Sequence, residues 1–187
     1  MCFLVNGTAV DLGITGTAAG INDSGQVVGD VFNPSNGLSR AFVTDPNGVG
    51  MTDLGTLGGN QSFAYAINDS GEVVGAGLIG DFNGSSHAFL FSHGGMTDLS
   101  LLDVVVAAGW TNISVIDINN NGQMVGEGLD STGHSQAFLL SYTPDTVFDP
   151  QPIFIPSPIP EPETYAMLLV GLGLIGFMAR RRKAATA

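Results

Sequence analysis

Ile21-Asn22-Asp23-Ser24-Gly25-Gln26-Val27-Val28-Gly29 returns as Ile67-Asn68-Asp69-Ser70-Gly71-Glu72-Val73-Val74-Gly75, and again as Ile118-Asn119-Asn120-Asn121-Gly122-Gln123-Met124-Val125-Gly126. The copies start 46 and 51 residues apart, a period that marks a repeat architecture in which each copy is one supersecondary unit. Two further phrases keep the same order around it. Ala-Phe-hydrophobic stands at Ala41-Phe42-Val43, Ala88-Phe89-Leu90 and Ala137-Phe138-Leu139, with Met51-Thr52-Asp53-Leu54 and Met96-Thr97-Asp98-Leu99 after the first two.

The middle copy reads most clearly as strands. Phe63 to Asn68 alternates large and small side chains, Asp69-Ser70-Gly71 turns the chain, and Glu72 to Leu78 runs back through Val73 and Val74. Gly71 suits the positive φ of a three-residue bulged turn, and Asn and Asp side chains bond nearby amides. A polar loop over Gly80 to Ser86 leads to a third strand at His87 to Ser92. Gly94-Gly95 then turns into a short fourth at Met96 to Leu99. Four short strands in about 45 residues is the size of a propeller blade, but a closed ring needs at least ~4 blades. The expected fold class is therefore all-β: antiparallel four-stranded blade-like repeats over residues 1–142, as a partial propeller or an open array, with a β-solenoid or open sandwich as alternatives.

Phe3-Leu4-Val5, Asn6-Gly7 and Val10-Asp11-Leu12 parallel Phe89-Leu90-Phe91, Gly94-Gly95 and Thr97-Asp98-Leu99, so the chain opens inside a repeat. Cys2 to Val5 is too short, and has no basic region before it, for a secretory signal. The expectation is a longer chain with further repeats and a signal peptide upstream.

These phrases resemble the HAF family of bacterial extracellular repeats, named for a His-Ala-Phe element that stands here in full as His87-Ala88-Phe89, with Arg40 and Gln136 at the equivalent places. The resemblance spans about residues 3–140 and implies an extracellular location and repeat architecture more than an activity.

Charge excludes one class of partner. Residues 1–160 hold one arginine against 15 acidic residues, a net −14, which repels phosphate backbones and argues against nucleic acid. The lone Cys2 forms no internal disulfide and has no metal-type neighbours. No nucleophile elbow, zinc pattern or phosphate loop accompanies His87, His93 and His134, so an enzyme is not expected and no catalytic or cofactor-binding residue is assigned. Calcium is the only cofactor with any sequence support. Asp117-Ile118-Asn119-Asn120-Asn121-Gly122 begins like a calcium loop, but Gly128 stands where an acid is wanted, and a plain hairpin turn is the simpler reading. Asp11, Asp53 and Asp98 recur at one repeat position, where turn capping outweighs a shared binding face. The matches to Asn-x-Ser/Thr at Asn6, Asn60, Asn83 and Asn112 are chance in so Asn- and Ser-rich a chain.

From Thr143 the composition changes. Seven of the nine prolines lie between Pro144 and Pro162, which excludes helix and ladder and favours an extended spacer rising about 3.1 Å per residue over 143–163. An uncharged run follows, containing Tyr165, Leu168, Leu169, Val170, Leu172, Leu174, Ile175 and Phe177, and then Arg180-Arg181-Arg182-Lys183. As a helix, 164–179 rises about 24 Å, a little short of the ~30 Å hydrocarbon core, which snorkelling arginines and local thinning accommodate. The cations then act as a stop-transfer cluster in a cytoplasmic end, 180–187, and the acidic repeats face outward.

Pro160-Glu161-Pro162, an apolar segment and a basic end resemble the PEP-CTERM sorting signal of Gram-negative bacteria. That resemblance implies an exosortase as partner, a membrane-embedded cysteine protease that cleaves near the motif and passes the protein from the inner membrane to the cell surface or exopolysaccharide matrix. The expected function is a structural or adhesive surface or biofilm-matrix protein, with Phe42, Phe89 and Phe138 as core anchors. The alternative is a carbohydrate-binding or sugar-processing domain with extracellular polysaccharide as partner, for which Trp110 and Tyr65 form an exposed stacking platform.

Overall fold

The computed structural model describes residues 2–5, 8–80 and 84–142. The chain divides into a unit over 1–154 and a second over 155–187, the latter wholly outside the described residues. A two-stranded antiparallel ribbon, β1 (Cys2–Val5) and β2 (Thr8–Asp11), precedes three sheets. The first sheet is a meander of β3 (Gly16–Ile21), β4 (Val27–Asn33), β5 (Leu38–Val43) and β6 (Thr52–Gly55). The second repeats it with β7 (Ser62–Ile67), β8 (Val73–Leu78), β9 (Ser86–Ser92) and β10 (Gly95–Asp98). The third contains β11 (Thr111–Ile118), β12 (Gln123–Leu129) and β13 (Ser135–Ser141). All pairs are antiparallel, and among the described residues the sheets form an open series with no closed barrel.

The recurring phrases explain the recurring strands. Each Ile-Asn-x-x-Gly stretch is the turn of a hairpin: Gly71 N–H donates to the Asn68 carbonyl at 3.0 Å, Asn68 N–H donates to the Glu72 carbonyl at 3.0 Å, and Gly71 takes φ +80°. That is the three-residue loop with a left-handed third residue, and Gly25 and Gly122 take the same conformation. The glycine ending each phrase answers a different need. A Cβ on Gly75 would overlap the Phe63 carbonyl oxygen of the neighbouring strand and meet the Phe89 ring, which lies over it as its cross-strand partner. Gly126 stands in the same relation to Ser114 and Phe138. The Val-Val-Gly and Ala-Phe phrases are thus two halves of one packing unit, a bare strand site covered by an aromatic ring.

Alternation along each strand sends neighbours to opposite faces. On β8, Val73 joins a core in which Ala64, Ile67 and Phe89 of its own sheet meet Val28, Ala41 and Leu54 of the first, while Val74 joins one in which Leu90 of its own sheet meets Ile113, Val115, Met124, Phe138 and Leu140 of the third, with Leu99 and Val105 from the connection. The middle sheet is therefore apolar on both faces. The third repeat arrives after a longer connection than the second. That connection carries a five-residue helix, α1 (Asp103–Ala107), whose Val105 seals the second core. No helix among the described residues is long and apolar enough to cross a membrane; the expected membrane segment, 164–179, lies outside them, as do the spacer, the Pro160-Glu161-Pro162 motif and the basic end.

Candidate functional site

The three hairpin turns lie side by side and are joined by their own asparagines. Asn22 Nδ2 donates to the Asn68 carbonyl at 3.1 Å, and Asn68 Nδ2 donates to the Asn119 carbonyl at 3.0 Å. One residue on, Asp23 N–H donates to Asp69 Oδ1, and Asp69 N–H to Asn120 Oδ1, both at 2.9 Å. Within each turn the asparagine oxygen accepts the amide four residues later, and its Nδ2 also donates to Gln26, Glu72 or Gln123. Only an amide side chain donates twice and accepts as well, so aspartate cannot replace it here. The oxygens that suggested a calcium loop have these other duties: Asn119 Oδ1 holds two turn amides, and Asn120 bonds Asp69. Among the described residues no group of three or more His, Cys, Asp or Glu is placed to hold a metal.

The repeated aspartates cap turns. Asp11, Asp53 and Asp98 each accept an amide two residues on, from Gly13, Gly55 and Ser100, at 2.8–2.9 Å. Two of them also meet the residue before the Ala-Phe element. His87 Nδ1 lies 2.7 Å from Asp98, and at the equivalent place the Arg40 guanidinium lies 3.3 Å from Asp53. The exchange of histidine for arginine between copies keeps the pairing, which the residue types alone did not reveal.

The Trp110–Tyr65 platform that the alternative, carbohydrate-binding reading required is not formed. Trp110 packs against the second core with its ring edge-on to Phe138, centroids 5.6 Å apart. Tyr65 instead lines an open groove of about 330 Å³ along β3, β7 and β11, with Ala19, Gly20, Ile21, Ala66, Ile67, Ile116 and Asp117. These strands are the free edges of their sheets among the described residues, and each is bulged so that pairing skips Ala19, Tyr65 and Ile116 in turn, with a second irregularity on β11 between Thr111 and Ser114. Bulges turn an edge away from strand addition. Tyr65 remains 38% exposed, Ile21 57% and Ile116 60%. Partial burial, and then the Asp30 carboxylate, push the Tyr65 phenol above its usual range.

Comparison with known families matches residues 158–183 to a sorting-motif model. The chain carries a PEP-CTERM protein-sorting motif. The match takes in Pro160-Glu161-Pro162, the apolar run and Arg180 to Lys183 in one stretch. The motif implies export and exosortase sorting at the membrane. No curated protein and no solved structure matches the chain.

Proposed function

We propose that the protein is a structural or adhesive component of the bacterial cell surface or exopolysaccharide matrix, displayed on a proline-rich stalk after processing by an exosortase. The PEP-CTERM match at 158–183 carries this reading. Residues 164–179 cross the inner membrane as a helix before processing, with Arg180, Arg181, Arg182 and Lys183 held on the cytoplasmic side by the inward preference of cations. The described region fits display. Its polar groups are spent on joining repeats, its aspartates cap turns, and its acidic surface resists association with other anionic surfaces. The repeats are of the HAF type, a reading supported by burial of Phe42, Phe89 and Phe138 at one repeat position.

Mass spectrometry of the carboxyl terminus of surface-extracted protein tests the reading. Cells with an exosortase should yield a chain cut near Pro160-Glu161-Pro162. Glu161→Ala, or loss of the exosortase, should leave the full tail in the inner membrane. Recovery of the intact tail at the surface of exosortase-positive cells would overturn the proposal.

A further inference from the structure

The three repeats agree where the fold needs them to and differ along the groove. Asn22, Asn68 and Asn119 hold the turns together, while Gly75 and Gly126 each lie beneath the ring of their repeat's phenylalanine. At the bulge, by contrast, the copies carry Ala19, Tyr65 and Ile116, and the next position carries Gly20, Ala66 and Asp117. Side chains that vary among otherwise matched units answer to something other than the common packing. Here they converge on one concave surface assembled from all three repeats.

The chemistry of that surface is narrow. Tyr65 offers a ring that is held by its surroundings yet open to solvent, and Ile21 and Ile116 flank it with exposed apolar surface. Asp117 lines the same groove. One of its carboxylate oxygens accepts the Ile118 amide at 2.9 Å, which orients the group, and the other makes no hydrogen bond among the described residues. An anionic ligand is repelled by Asp117 and by the acidic surroundings. A strand-like peptide finds edges broken by bulges. A pyranose fits both halves: its C–H face stacks on an aromatic ring and excludes water from the isoleucines, while its hydroxyls donate charge-assisted hydrogen bonds to a carboxylate.

We propose that this groove binds a neutral sugar unit of an extracellular glycan, stacked on Tyr65 and hydrogen-bonded to Asp117. The site does not depend on the sorting reading, because binding is a property of the purified chain. The test is saturation-transfer NMR and calorimetry on the full-length protein in detergent with neutral trisaccharides of glucose, mannose and galactose. At least one should bind with a Kd of roughly 0.1–10 mM, the range open to one stacked ring and a few hydrogen bonds. Tyr65→Ala and Asp117→Asn should each weaken that binding about tenfold or more. Tyr65→Phe keeps the ring and should bind within about threefold of wild type, which separates loss of stacking from loss of fold. A wild type that binds none of the three, or binding undiminished in Tyr65→Ala, would overturn the proposal.

Discussion

Replacing Asn68 by alanine removes the central rung of the ladder between hairpin turns. The side chain is 3% exposed and makes four hydrogen bonds: Nδ2 donates to Glu72 at 2.6 Å and to the Asn119 carbonyl at 3.0 Å, while Oδ1 accepts the Ser70 amide at 3.1 Å and the Glu72 amide at 3.0 Å. Each such bond contributes about 0.5–1.5 kcal/mol net, and water reaches the Ser70 and Glu72 groups once the side chain is gone, so the expected loss is about 2–4 kcal/mol. Asn119→Ala is the internal control. Asn119 is exposed, and its three side-chain bonds all stay within its own turn, so its loss should cost about 1 kcal/mol or less. Urea unfolding of the full-length protein in detergent, followed by far-ultraviolet circular dichroism, gives both values, with unchanged m-values expected. The bonds between turns would be shown to contribute nothing if Asn68→Ala were no more destabilising than Asn119→Ala.

Two further outcomes follow from the same geometry. Gly75→Ala should cost about 4 kcal/mol or prevent folding, because its Cβ meets the Phe63 carbonyl and the Phe89 ring; Gly94→Ala, with φ +79° but open space around it, should cost about 1 kcal/mol, and thermal melts of both compare the two costs. The raised phenol of Tyr65 predicts a loss of stability at high pH: the unfolded tyrosine ionises first, near pH ~10, so its contribution is complete below that and fades as pH climbs through the folded value. Tyr65→Phe should show a shallower alkaline decline in denaturation midpoint, and an identical decline would contradict the burial argument.

Local chemistry made much of the fold legible. The Asp69-Ser70-Gly71 turn, the strands on either side of it and the short strand ending near Asp98 all rest on neighbours within a few residues, and such signals survive in a bare sequence. What escaped depends on residues far apart. The recurrence of Asn22, Asn68 and Asn119 was plain, but what the first two do, each side chain donating to the carbonyl of the next copy's asparagine, is a contact across 46 or 51 residues that no periodicity expresses. Trp110 illustrates the opposite error. As the lone tryptophan in an insertion it suggested an exposed platform, yet the insertion folds over the second core and turns the indole against Phe138. Exposure of Tyr65 comes from a bulge, and a bulge is fixed by pairing register, which composition does not report.

The ladder also bears on how the stacked sheets hold a single arrangement. Small apolar side chains such as Val28, Ala41, Val74 and Ala88 fill the spaces between sheets, and flat contacts of this kind tolerate sliding by a residue or more. Asparagine donors aimed at single carbonyls do not: a slip of one residue moves the acceptor about 3.3 Å, beyond hydrogen-bond reach. The apolar positions then supply most of the attraction and the Asx row supplies the register. It does so with mostly neutral groups, which matters in a region where 15 acidic residues face one arginine, Arg40, too few cations to build an ion-pair ladder. An acidic surface, a neutral polar spine and a core divided among thin sheets are thus parts of one solution, in which charge is left outside to keep the exported chain soluble while neutral amides align the repeats.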